Sequence, residues 1–127
     1  MLRPTDEEAL ADLGYAYEVV ADGGFVALVV KDVVLPNGLD PATSSILVRL
    51  PPGFPDAAPD MFWLDPPVRG PAGQMIPGTE STQSFLDRTW QRWSRHIQHQ
   101  WRPGVDSLTT YLAYVRHCLN QAAGRAA

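Results

Sequence analysis

The chain has 127 residues, 45% of them hydrophobic and 19% charged, with a net charge of −4, which suits one domain with a real core. No run approaches the roughly 20 apolar residues of a membrane span, and the acidic balance argues against general nucleic-acid binding. The single Cys118 excludes an internal disulfide and any multi-cysteine zinc site. The first eight residues lack the apolar core of a signal peptide, so a cytoplasmic protein is expected.

In chain order, Thr5 and Glu8 have the spacing of a helix capping box. Leu10 and Leu13 give that helix an apolar side, and Gly14 can end it. Tyr15 to Val20 is rich in β-formers and reads as a strand, and Asp22-Gly23-Gly24 signals a hairpin. Phe25 to Leu35 reads as a long strand with a bend at Lys31 and Asp32, and Pro36-Asn37-Gly38 turns the chain. Ser44 to Leu50 is a third strand and Met61 to Leu64 a short fourth. From Asp65 to about Leu86 prolines and glycines crowd the chain, which reads as one long loop of the kind that carries function. A last helix starts near Asp106, with Leu108, Tyr111, Leu112, Val115 and Leu119 as its apolar stripe, and residues 121–127 are expected to fray. The order predicts an α+β domain: an N-terminal helix, a four-stranded antiparallel meander, a long loop and a C-terminal helix.

Between the loop and the last helix lies "TWQRWSRHIQHQW", residues 89–101, with three tryptophans, two arginines and two histidines. Four arginines against one aspartate from Asp87 to Arg102 make it a basic island on an acidic chain. The segment fits a packed wedge, an aromatic and basic nucleic-acid platform, or an active-site loop. Trp90 and Trp101 read as core closures, and Trp93 as open to a partner. His96 and His99 have helical spacing for a metal but no third ligand nearby, so no metal and no cofactor are expected. Cys118 falls near the apolar stripe and reads as a small hydrophobe.

"LPPGFPDAAPDMFWLDPP" (residues 50–67) and "QHQWRPGVDSLTTYL" (98–112) resemble the proline turn and the Trp-x-Pro element with its following helix in the ubiquitin-conjugating (UBC) fold. "WQRWSRHIQHQWRPGVD" is similar to a prokaryotic branch of that family. The resemblance covers about residues 10–120 as part of a single UBC-like domain. It implies a protein that accepts a ubiquitin-like protein from an activating enzyme and transfers it to a target. The departure is the catalytic cysteine, which those enzymes place about eight residues before the tryptophan; counting back eight from Trp101 gives Trp93, beside Ser94.

On this resemblance Ser94 becomes the candidate acceptor through an oxyester, with His96 as base and Arg95 as oxyanion partner. Its bland alternative is a hydroxyl that caps a turn. Arg92 and Trp93 would hold the ubiquitin-like tail. Glu7 and Glu8, with Asp6, would help the first helix dock the activating enzyme, or simply favour a helix start. A silent UBC/RWD-like scaffold for the activating enzyme or the ubiquitin-like protein is the alternative function. A nucleic-acid domain is a third reading, disfavoured by the acidic remainder. The partners expected are an activating enzyme, a ubiquitin-like protein and an unknown target, with no membrane.

Overall fold

The computed structural model describes residues 2–124. The first helix, α1 (Pro4–Leu13), starts two residues before the expected box. Proline has a fixed φ and no N–H, so Pro4 takes the first helical position and Arg3 becomes the cap. The Asp6 carboxylate then accepts the Arg3 backbone N–H at 3.1 Å and its guanidinium at 3.0 Å, and Asp6 is buried. Gly14, at φ +80°, ends the helix.

Strands β1 (Tyr17–Asp22) and β2 (Phe25–Val34) form the hairpin that Gly23 and Gly24 allow, both with positive φ. The expected bend in β2 is a bulge: pairing shifts between Val30 and Val33, Asp32 adopts φ +50°, and its N–H donates to Ser45 Oγ. Strand β3 (Thr43–Leu50) follows, then β4 (Phe62–Asp65).

The sheet has six strands, not four. The expected long loop contains β5 (Thr82–Phe85), and the Trp-rich segment begins as β6 (Arg88–Trp93). The order is β1-β2-β3-β4-β6-β5, every pair antiparallel. The last strand therefore inserts beside β4 and pushes β5 to the edge. The hairpin is silent in the sequence because its turn is Leu86-Asp87, with φ of +56° and +58° and no glycine or asparagine to announce it.

After β6 come a 3-10 turn (Gln98–Gln100) and α2 (Leu108–Ala122). Ser107 caps α2 and receives the Thr110 hydroxyl as the acceptor of its N–H. Residues 121 and 122 are helical, and 125–127, the end of the stretch expected to fray, lie outside the described residues.

Alternation sorts each strand onto two faces. Leu28, Val48, Phe62, Leu64 and Trp93 face α1 and α2 and pack with Leu10, Leu108, Tyr111, Val115 and Leu119. On the other face Ala27, Val29 and Leu47 lie with Trp63 and Trp90 in a second cluster. Phe85 meets Trp63 edge-on with centroids 5.2 Å apart. The Arg49 guanidinium lies 4.2 Å from the Phe25 ring centroid and 4.4 Å from that of Phe85. Among the described residues no helix is long and apolar enough to cross a membrane.

Candidate functional site

The site is built where β6 runs out. Trp93, its last residue, pairs with Phe62 at the start of β4 and stacks on it at 5.4 Å between centroids. Its indole N–H donates to Gln91 Oε1 at 3.0 Å. The ring is 0% exposed, so Trp93 packs the core and offers no surface to a partner. Burial of a side chain this size is worth about 2–3 kcal/mol. Trp90 and Trp101 are buried as well, as expected of core closures.

Past Trp93 the chain leaves the ladder and is clasped to the proline loop of residues 51–61. Arg95 turns tightly, its N–H donating to Trp93 O at 3.0 Å. The Arg95 carbonyl accepts the Met61 N–H at 3.1 Å. The Gln98 side chain donates to Pro59 O at 3.3 Å, and Trp101 Nε1 to Pro55 O at 2.9 Å. The buried Tyr111 hydroxyl of α2 donates to Met61 O. Met61 itself adopts φ +61°, a region that an unbranched non-glycine residue enters only at a cost.

Between two of these clasps, Asp60 faces His96, with His96 Nδ1 2.6 Å from Asp60 Oδ1. Both side chains reach solvent, at 57% exposure for His96 and 49% for Asp60. Sequence reading missed Asp60: it lies 36 residues from its partner, on a loop read only for its prolines.

Ser94 is half-buried. Its N–H donates to Gly78 O at 2.9 Å, and among the described residues its hydroxyl makes no hydrogen bond, so it caps no turn. Arg95 folds back over the same junction: Nη1 donates to Ser94 O at 3.1 Å and Nη2 to Pro77 O at 3.0 Å. Two donors expected at an oxyanion are thus spent on backbone carbonyls. Gly78 makes this approach possible, since a Cβ there would stand 2.7 Å from Arg95 Nη1 at a φ of +81°. Glu80 accepts the Gly78 N–H at 3.1 Å; backbone hydrogen bonds, from its own N–H and from Gly78, hold its carboxyl below the usual range, and Arg95 and Arg92 add to this.

The basic island is largely consumed by the fold. Arg88 covers the Trp90 ring at 4.3 Å and bonds Asp65 at 2.8 Å. Arg102 pairs with buried Asp106. Arg92 is half-buried on β6 with Nε enclosed and unpartnered among the described residues. His99 is exposed, and no group of three potential metal ligands exists among the described residues. Glu7 and Glu8 are exposed on α1.

Cys118 is 3% exposed, on the core-facing side of α2. Burial pushes its thiol up, against the opposing pull of a hydrogen bond to Tyr114 and the charge of Arg95. A thiol in that setting is held in its unreactive form. An apolar groove of about 640 Å³ opens between α1, α2 and the sheet, and Asp60, Ser94 and His96 are not among its walls.

A family model described as prokaryotic E2 family E matches residues 2–122. The chain belongs to that family. Family E membership makes it an E2-like protein and implies ubiquitin-like conjugation in general terms, with an activating enzyme and a ubiquitin-like protein as the kinds of partner. No curated protein and no solved structure matched the chain. In this family E chain the position eight residues before Trp101 holds a buried tryptophan, and the first side chain past it that reaches the surface is Ser94.

Proposed function

We propose that this protein accepts the C-terminus of a ubiquitin-like protein from an activating enzyme onto Ser94 Oγ and passes it to a target. The observation that carries the reading is the contrast between two nucleophiles: Cys118 is sealed in the core, whereas Ser94 sits half-buried at the end of β6 beside an exposed histidine. In the transfer, the hydroxyl oxygen bonds the terminal carbonyl carbon, the carbon–sulfur bond of the activating enzyme's thioester breaks, and the hydroxyl proton leaves to a base. His96 is the base at hand. Arg95 braces the junction through its bonds to the Ser94 and Pro77 carbonyls. Arg92 is left to meet the incoming tail, and the exposed Glu7 and Glu8 of α1 to meet the activating enzyme.

The test is intact-mass analysis of this protein with an E1-type enzyme and a ubiquitin-like protein from its own genome, plus ATP. An adduct that survives thiol reductant, yields to hydroxylamine, and is lost in Ser94→Ala is the expected result. A reductant-sensitive adduct lost in Cys118→Ala overturns the choice of nucleophile. A stable complex with no adduct supports a scaffold, the reading favoured by the missing surface cysteine.

A further inference from the structure

The pairing of Asp60 with His96 has chemical consequences beyond its own stability. As an exposed contact between two solvent-reaching side chains it contributes little to folding. Yet it is held by main chain on both sides: Pro59 O receives Gln98, and the Met61 N–H binds Arg95 O. Met61 O is gripped in turn by Tyr111 from α2, and Met61 takes a left-handed φ of +61°.

The contact also determines the imidazole. A carboxylate only accepts hydrogen bonds, so at 2.6 Å the proton between them belongs to Nδ1. A neutral imidazole with Nδ1 protonated carries its lone pair on Nε2. Free histidine in water favours the opposite tautomer, so without Asp60 the ring would offer an N–H there instead of a proton acceptor. Nε2 has no hydrogen-bond partner among the described residues, and the ring is open to solvent.

We propose that Asp60 is the positioning residue of this site: it fixes His96 with Nε2 as the proton acceptor for the nucleophile that attacks the ubiquitin-like carboxyl terminus. The inference rests on the transfer reading, in which that nucleophile is Ser94. The proton of the Ser94 hydroxyl goes to Nε2 as the oxygen–carbon bond forms. The imidazolium, held beside the Asp60 carboxylate, then returns that proton to the departing thiolate of the activating enzyme. Thioester and alcohol become ester and thiol, with nothing else consumed.

Two measurements test it on the full chain. At roughly pH 8.5, above the usual histidine range, long-range nitrogen–proton correlation spectra should show His96 protonated at Nδ1. In Asp60→Ala the resonances should move to the Nε2-protonated form. Both side chains are largely exposed, so this variant leaves the core intact. In single-turnover transfer from the loaded activating enzyme, Asp60→Ala should slow adduct formation by roughly a hundredfold, the lower end of general-base effects. Asp60→Glu should recover most of that rate, and affinity for the activating enzyme should not change. An Nε2-protonated ring in the unaltered protein overturns the proposal, as does a rate indifferent to Asp60→Ala. If the unaltered chain forms no adduct, the transfer reading itself falls, and the role given to Nε2 falls with it. An adduct that needs Ser94 but ignores Asp60 removes the positioning role alone.

Discussion

Gln91 shows how much one side chain can carry here. It is 6% exposed on β6. Its amide oxygen accepts the Val68 N–H at 2.9 Å and the Trp93 indole at 3.0 Å, while its nitrogen donates to Val68 O at 3.0 Å. One residue thus ties the loop after β4 to the strand that delivers the site. Gln91→Leu keeps the volume but strands three buried polar groups. Each costs about 1–3 kcal/mol, so thermal unfolding should show Tm lower by roughly 10 °C or more. Gly78 is the second such position. Gly78→Ala puts a side chain into the left-handed region, worth about 1–2 kcal/mol, and displaces Arg95 from its carbonyls. The expected outcome is a modest loss of stability in denaturant titration with a larger loss of transfer rate, because Ser94 shares the junction. Equal losses in both would show that Gly78 matters only to folding. Neither residue carried a sequence signal: a glutamine inside a strand and one glycine in a Pro/Gly-rich stretch look like many others.

At the scale of elements, the β5–β6 hairpin decides the site. Its Leu86-Asp87 turn holds two non-glycine residues at positive φ. Asp87→Gly relieves one of them and should raise stability by about 0.5–1 kcal/mol, read as a shift in the denaturation midpoint with no change in slope. Leu86 packs against the second core cluster, so the same relief there would cost contacts. The hairpin also explains the limit of pattern reading. α1, β1 to β4 and α2 are visible as periodicities or turn signals near their observed places. β5, four residues reading Thr-Gln-Ser-Phe, has no apolar run and no announced turn. The strand character of β6 hides behind its aromatics, which are sorted to opposite faces: Trp90 joins the outer cluster and Trp93 the inner one. The clasp is the second device at this scale. Trp101→Phe retains most of the apolar contact but leaves Pro55 O without its donor. Faster amide exchange at Met61, whose N–H binds Arg95 O, is expected, since the proline loop would open more often.

Across the whole molecule, pH links the core to stability. Burial raises the Tyr111 phenol, pushes the Tyr114 phenol up to about 12, and raises the Cys118 thiol. These groups are neutral when protonated, so the unfolded chain ionises first, starting near the ordinary values of 9.0 for the thiol and 10.0 for the phenols. The unfolded state then binds fewer protons than the native one, and stability falls as pH rises above about 9. Urea titrations at about pH 8 and about pH 10.5 should show this fall, and Tyr111→Phe, which removes the most deeply buried phenol, should make it shallower. An identical fall in the variant would remove Tyr111 as the cause. On the acid side Glu18, hydrogen-bonded to Lys31, and Glu80 are held below the ordinary carboxyl value of 4.5. Their contribution is present above that value and lost as pH drops below it; both are exposed, so the acid limb is weak.

The sequence alone determined the fold class, the two helices, the first four strands and the family. Local periodicity and short motifs are set by neighbours in the chain, and these can be read without a structure. It also singled out residues 89–101 and placed Ser94 and His96 in them. Only the tertiary structure decided that Trp93 is core, that Cys118 is sealed, that most of the basic island is spent on aromatic rings, carbonyls and carboxylates, and that Asp60 faces His96. Burial and pairing depend on segments tens of residues apart being brought to one place. Asp60 and His96 meet because β4 and β6 are neighbours in the sheet, and that neighbourhood follows from a hairpin whose turn carries no local signal.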